Sequence, residues 1–282
     1  MSSSTASQTE AFSIGVLSER TQVNTVTLRA WERRYGLLKP QRTAKGHRLY
    51  TQSDIDTVEQ VLALIKRGVP LRKIKPLLQV GEAEQMVPFE HWEADRCALE
   101  AALASAELDT LGRAVAKVFA EYPASACAQH LLTPVFKSLA VDSLARYLLE
   151  SALLHYAVAR LSQPKASAVQ LVLIGGEQAS KWHLALLAIA LGDSGWKVHL
   201  LNVEAGLAQV AELAAVREDA KVVYYRDGLW KSSQIDAVTQ VLTEYPNITL
   251  CGTAPALASL VDGKRAFADI WSCVAVFSEG AR

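Results

Sequence analysis

Between Val23 and Tyr50 the chain reads VNTVTLRAWERRYGLLKPQRTAKGHRLY, and cations recur through it at two spacings. Arg29 and Arg33 are four residues apart, so on a helix they share a face and can reach base edges or phosphates. Arg34 lies about 100° round the same helix. There it pairs with Glu32 or Glu19, or contacts the DNA backbone. Thr25 and Thr27, in the first turn, can donate to a phosphate where a helix N-terminus already favours an anion. Lys39, Arg42, Lys45, His47 and Arg48 follow in a loop punctuated by Pro40 and Gly46. An arginine-faced helix joined to a cationic hairpin suits a DNA groove and its flanking phosphates.

These side chains need elements to hold them. Ser13 is placed to cap a first helix that turns Ile14, Val16 and Leu17 inward, and Asn24 is the expected N-cap of the second. Val26, Leu28, Trp31 and Tyr35 share that second helix with the arginines, Trp31 as a core residue, and Gly36 stops it. Two short helices joined by a tight turn make a helix-turn-helix. KPQRTAKGHRLY then reads as two extended segments around a Lys-Gly tip, a wing. Thr51 to Asp54 has the form of a capping box, opening a third helix that carries Ile55, Val58, Val61, Leu62 and Ile65. Gly68 should end that helix, Pro70 should sit in the first turn of a fourth, and Pro76 should kink or end the fourth early.

The chain is long enough, at 282 residues, for several cores. We expect a disordered tail over 1–11, a winged helix-turn-helix head over 12–78 and a linker over 79–92. A four-helix bundle over 93–163 follows, with breaks near Leu108–Asp109, Tyr122–Pro123 and Ala140–Asp142. From 167 to 282 apolar strands alternate with helices, at 168–174, 197–203, 221–225 and 248–252, and 267–277 is expected to add a fifth strand. That alternation implies an α/β, doubly wound, Rossmann-like domain on a parallel sheet. The zero net charge hides a split: up to Leu78 there are 13 basic residues against 6 acidic, a net +7, which leaves −7 for the rest. A basic head on an acidic body fits a polyanion reader attached to something that is not one.

Other chemistry is sparse. Cys97, Cys127, Cys251 and Cys273 form no CxxC pair and read as reduced or buried thiols. No apolar run approaches a membrane span, and the polar N-terminus lacks the apolar core of a signal peptide, so a cytoplasmic protein is expected. Gly175-Gly176 lacks the full dinucleotide fingerprint. Glu204, Asp193, Asp227 and Asp236 are not spaced for acid–base work. His130 and His155 read as core or boundary residues. No metal set or nucleophile elbow is present, and no enzyme is expected.

TLRAWERRYGLLKPQRT followed by GHRLYTQSDID resembles the head of the MerR family of transcription regulators over roughly residues 12 to 80. The resemblance implies a homodimer on promoter DNA that activates by distorting the promoter, so that RNA polymerase engages. It also assigns phosphate contacts to Tyr35, Arg42, His47, Arg48 and Tyr50. Within the family the wording is closest to the branch that activates the curli and biofilm programme, whose partners are enzymes of cyclic-di-GMP signalling. The order of bundle then α/β domain also resembles the cobalamin-sensing CarH/LitR group. That group places an acid, a cobalt-ligating His and a Gly after the first strand. The matching stretch here is Lys181-Trp182-His183-Leu184-Ala185-Leu186: the His is kept, the acid is Lys181 and the glycine is Leu186. The Trp and the Glu-His pair of that group's bundle are absent from Ala145-Arg146-Tyr147-Leu148-Leu149-Glu150. His183 is thus a residual axial-ligand position, no cofactor is expected, and the body is expected to answer to protein partners. The alternative is a small-molecule sensor of cobalamin or a cyclic nucleotide in the cleft above the strand ends.

Overall fold

A computed structural model describes residues 11–43, 46–67, 69, 71–80, 90–162 and 169–280. The expected tail, Lys45, Gly68, Pro70 and most of the expected linker lie outside these residues.

The head opens with α1 (Ile14–Thr21) and α2 (Thr25–Ala30), and α2 runs on into a π-helical turn, Trp31–Tyr35. Ser13 precedes α1 without making a capping bond. Asn24 does cap α2, its side-chain oxygen accepting from the Val26 amide at 2.7 Å. Gly36, at φ 58°, ends the turn in the left-handed region where glycine is unstrained. Two short antiparallel strands follow, β1 (Gln41–Arg42) and β2 (Arg48–Leu49). Tyr50 and Phe12 then exchange backbone hydrogen bonds of 2.9 Å, tying the start of the head to the end of the hairpin. α3 (Gln52–Lys66) starts with Asp54 reaching back to the Thr51 amide at 2.8 Å. α4 (Leu71–Val80) continues four residues beyond Pro76, contrary to the expectation of an early end.

A helical region follows: α5 (Glu90–Ala104), α6 (Leu108–Glu121), α7 (Ala124–Cys127), α8 (Thr133–Ser138) and α9 (Leu144–Leu161). A π-helical turn, Ala128–Leu132, joins α7 to α8. It lies just before Pro134, which has no amide to donate to the preceding turn.

The last third is a five-stranded parallel sheet. Its strands are β3 (Gln170–Gly175), β4 (Lys197–Glu204), β5 (Lys221–Tyr225), β6 (Ile248–Cys251) and β7 (Ala266–Phe267), in the order β4-β3-β5-β6-β7. Alternate strand residues enter two separate cores. Leu171, Leu173, Val223 and Tyr225 join α10 (Lys181–Asp193) and α14 (Ile270–Gly280) on one face. Ile174, Val222, Tyr224 and Leu250 join α11 (Leu207–Val216), α12 (Ser232–Glu244) and α13 (Thr253–Leu257) on the other. Burial on both faces is why the inner strands β3, β5 and β6 are mostly apolar rather than alternating, while the edge strand β4 is largely exposed. The expected strand over 267–277 is corrected: pairing stops at Phe267. The Asp269 carboxylate then accepts from the Trp271 and Ser272 amides and starts α14 instead.

Asp227 ties three strand-end loops together. It accepts from the Ser180 amide (3.1 Å), the Tyr225 hydroxyl (2.8 Å) and both the amide and hydroxyl of Thr253 (3.0 Å each). Asp227→Ala strands those donors and should cost roughly 2–3 kcal/mol in urea unfolding, whereas Asp227→Asn should cost less.

Candidate nucleic-acid interface

The second helix divides its side chains by direction. Leu28 and Trp31 face inward with no measurable exposure, and Arg29 and Arg33 face outward. Neither of these arginines has an ion-pair partner among the described residues. Thr25 is half-buried, while Thr27 is buried at 1% exposure and withdrawn from the outer face on which a phosphate contact was expected.

Glu32 fixes the hairpin to this helix. Its carboxylate accepts from Arg48 Nε at 2.6 Å and stands 3.8 Å from Arg42 Nη2. That bond holds the Arg48 guanidinium pKa above its ordinary value. Neither acid expected for Arg34, Glu32 or Glu19, is its partner. Arg34 instead bonds Glu121 at the end of α6, with Nη1 to Oε1 at 2.6 Å. Tyr35 is half-buried beside the same carboxylate, and burial together with the Glu121 charge pushes its hydroxyl up to about 12. Arg42 and His47 are exposed.

Tyr50 was expected to touch phosphate, but its ring is fully buried and its hydroxyl has no hydrogen-bond partner among the described residues. Burial raises its pKa, and Arg48 and Arg29 both oppose that rise. Sequence reasoning missed the cations of α4 and the anchoring role of Glu32. Lys75 of α4 places its ammonium beside Gly36, with Arg72 and Lys73 exposed on the same helix. Their only signal was the local excess of positive charge. Glu32 as the hairpin's anchor gave no signal beyond its sign.

A second candidate site lies at the strand ends of the sheet. A cleft of about 240 Å³ is lined by Trp182, His183, Leu186, Tyr225 and Trp271. The Trp182 ring stacks on Phe136 of α8 at 4.5 Å and on His183 at 3.7 Å between centroids. Burial lowers the His183 pKa, favouring the neutral imidazole. Among the described residues no group of three or more His, Cys, Asp or Glu could hold a metal ion, and no helix is long and apolar enough to cross a membrane.

A helix-turn-helix with an outward arginine pair and an anchored basic hairpin defines a DNA-binding protein. Residues 12–80 match the MerR HTH family regulatory proteins. The HTH-type transcriptional regulator MlrA of Salmonella typhimurium is 32% identical over 195 residues, covering 67% of this chain and 79% of that protein. MlrA of Escherichia coli is 31% identical over the same shares. The HTH-type transcriptional repressor CarH of Myxococcus xanthus is 40% identical over 77 residues, 26% of each chain. The chain belongs to the MerR family: it is a DNA-binding transcription regulator and not an enzyme.

Two outcomes follow from the geometry. Arg29→Ala should weaken duplex binding and reduce the slope of log affinity against log salt by about 0.9 if Arg29 neutralises one phosphate; a titration at several salt concentrations reads this. Tyr50→Phe removes a hydroxyl that is buried without a partner, so thermal unfolding should show a Tm unchanged or slightly raised.

Proposed function

We propose that the chain binds promoter DNA as a homodimer, each head gripping one half-site with helix and wing, and activates transcription by distorting the DNA between them. The observation that carries this reading is the outward, acid-free pair Arg29 and Arg33 beside a hairpin anchored by Glu32. One head offers few base contacts, and two heads on a pseudo-palindrome multiply affinity and specificity. Distortion is an energetic route to control, because bending or untwisting the spacer changes how RNA polymerase meets the promoter. In this reading 12–78 is the winged head, 93–163 a bundle and 167–282 a doubly wound, cobalamin-binding-like domain.

The residues of that last domain do not fit a corrin. Leu186 occupies the position where the cobalamin-sensing group has glycine, and it is fully buried. Lys181, which replaces the acid, pairs with Glu204 at 3.1 Å rather than orienting His183. The body is better suited to protein partners, for which the resemblance points to enzymes of cyclic-di-GMP signalling. Exposed Leu108, Val141, Leu144 and Tyr147 on the helical region support that role. The aromatic lining of the cleft supports a second reading, a small-molecule sensor.

A genome-wide binding map with Arg29→Ala as control tests the main reading. Peaks over pseudo-palindromes that vanish in the variant are expected; peaks that persist would sink it. Mixing the protein with adenosylcobalamin should leave the free cofactor's visible spectrum unchanged after desalting, with no colour retained.

A further inference from the structure

The helix that faces DNA is also the helix that faces the body, and it is held at both ends. At its start, the Asn24 side chain caps α2 and at the same time donates to Asp193 Oδ1 at 2.9 Å. Asp193 is the last residue of α10, and it also takes two bonds from Arg160 of α9, at 2.8 and 3.0 Å. In the middle, Trp31 Nε1 donates to the Glu121 carbonyl at 2.8 Å. Near its end, Arg34 bonds the Glu121 carboxylate. Glu121 is the last residue of α6.

Both acids sit where their own helices disfavour them, since a carboxylate in a last turn meets the negative end of the helix dipole. Each is compensated from outside its helix, Glu121 by Arg34 of the head and Asp193 by Arg160 together with Asn24 of the head. The Arg34–Glu121 bond is a charge-assisted guanidinium–carboxylate contact, and a DNA phosphate offers the same guanidinium the same chemistry.

We propose that this contact is an autoinhibitory latch. Glu121 occupies Arg34 in place of a phosphate and Asp193 holds the cap of the reading helix, so that body and DNA compete for the Arg34 guanidinium. The latch rests on the DNA-binding function proposed above. Its release adds Arg34 to the phosphate contacts and frees the helix from α6 and α10.

The test uses the full chain and a duplex enriched from a random-sequence pool by the wild-type protein. Glu121→Gln removes the competing charge but leaves the carbonyl that accepts from Trp31. Asn24→Ser keeps a capping hydroxyl and removes the donor to Asp193. Each variant should bind the enriched duplex about 5-fold more tightly or better, the scale of an allosteric coupling. Glu121→Gln should also steepen the slope of log affinity against log salt by about 0.9, one added phosphate contact; a merely structural role for Glu121 would not move that slope. Wild-type affinity and slope in both variants, or weaker binding by variants that melt at the wild-type temperature, would overturn the latch. If the wild-type protein enriches no sequence from the pool, the DNA-binding reading fails first and the latch with it.

Discussion

Trp31 is the side chain on which head and body both depend. Its ring is fully buried, and its indole N–H, which would be costly to bury alone, finds the Glu121 carbonyl. That one bond places the end of α6 against the reading helix. It also sets the direction of everything else on the helix. Arg29 and Arg33 lie two residues to either side of Trp31, roughly opposite it at about 100° per residue. Arg34 swings back towards the Trp31 side and meets the body. An outward pair and an arginine that reaches the body follow from the position of a single indole.

Local chemistry was legible in the residues themselves. Asn24, Gly36 and the Thr51–Asp54 pair act within a few residues of their own positions, and each does what its type and place require. The apolar strands were legible because burial on both faces removes the alternation that a half-buried strand would show. The misreadings share a different cause. Phe267 to Phe277 is apolar enough for a strand, and periodicity alone cannot separate that from a buried helix. The Asp269 cap decides for helix, and a cap is a two-residue signal inside a long apolar run.

The site was legible in its types more than in its partners. Arg29, Arg33 and the basic hairpin declared themselves by charge and spacing. Thr27 and Tyr50 carry groups that could touch phosphate, yet both are spent on the core. The partner of Arg34 is 87 residues away and the partner of Asn24 is 169 residues away. No local pattern can announce such pairs. Nothing nearby distinguishes Glu121 from other surface acids except its awkward place at a helix C-terminus.

α10 gives the body a means of reaching the head. Its first turns supply Trp182, His183 and Leu186 to the cleft, and its last residue holds Asn24. Between them Leu184 to Gly192 are all buried, so the helix has little freedom to bend and absorb a push. At about 1.5 Å per residue it is a rod of roughly 20 Å. At the cleft, Leu186 is packed and Trp182 stacks on Phe136 of α8. The cleft end of the rod is held by its contact with α8. Trp182 and Asp193 thus stand near the two ends of one buried helix, the first against α8 and the second against Asn24 of the head.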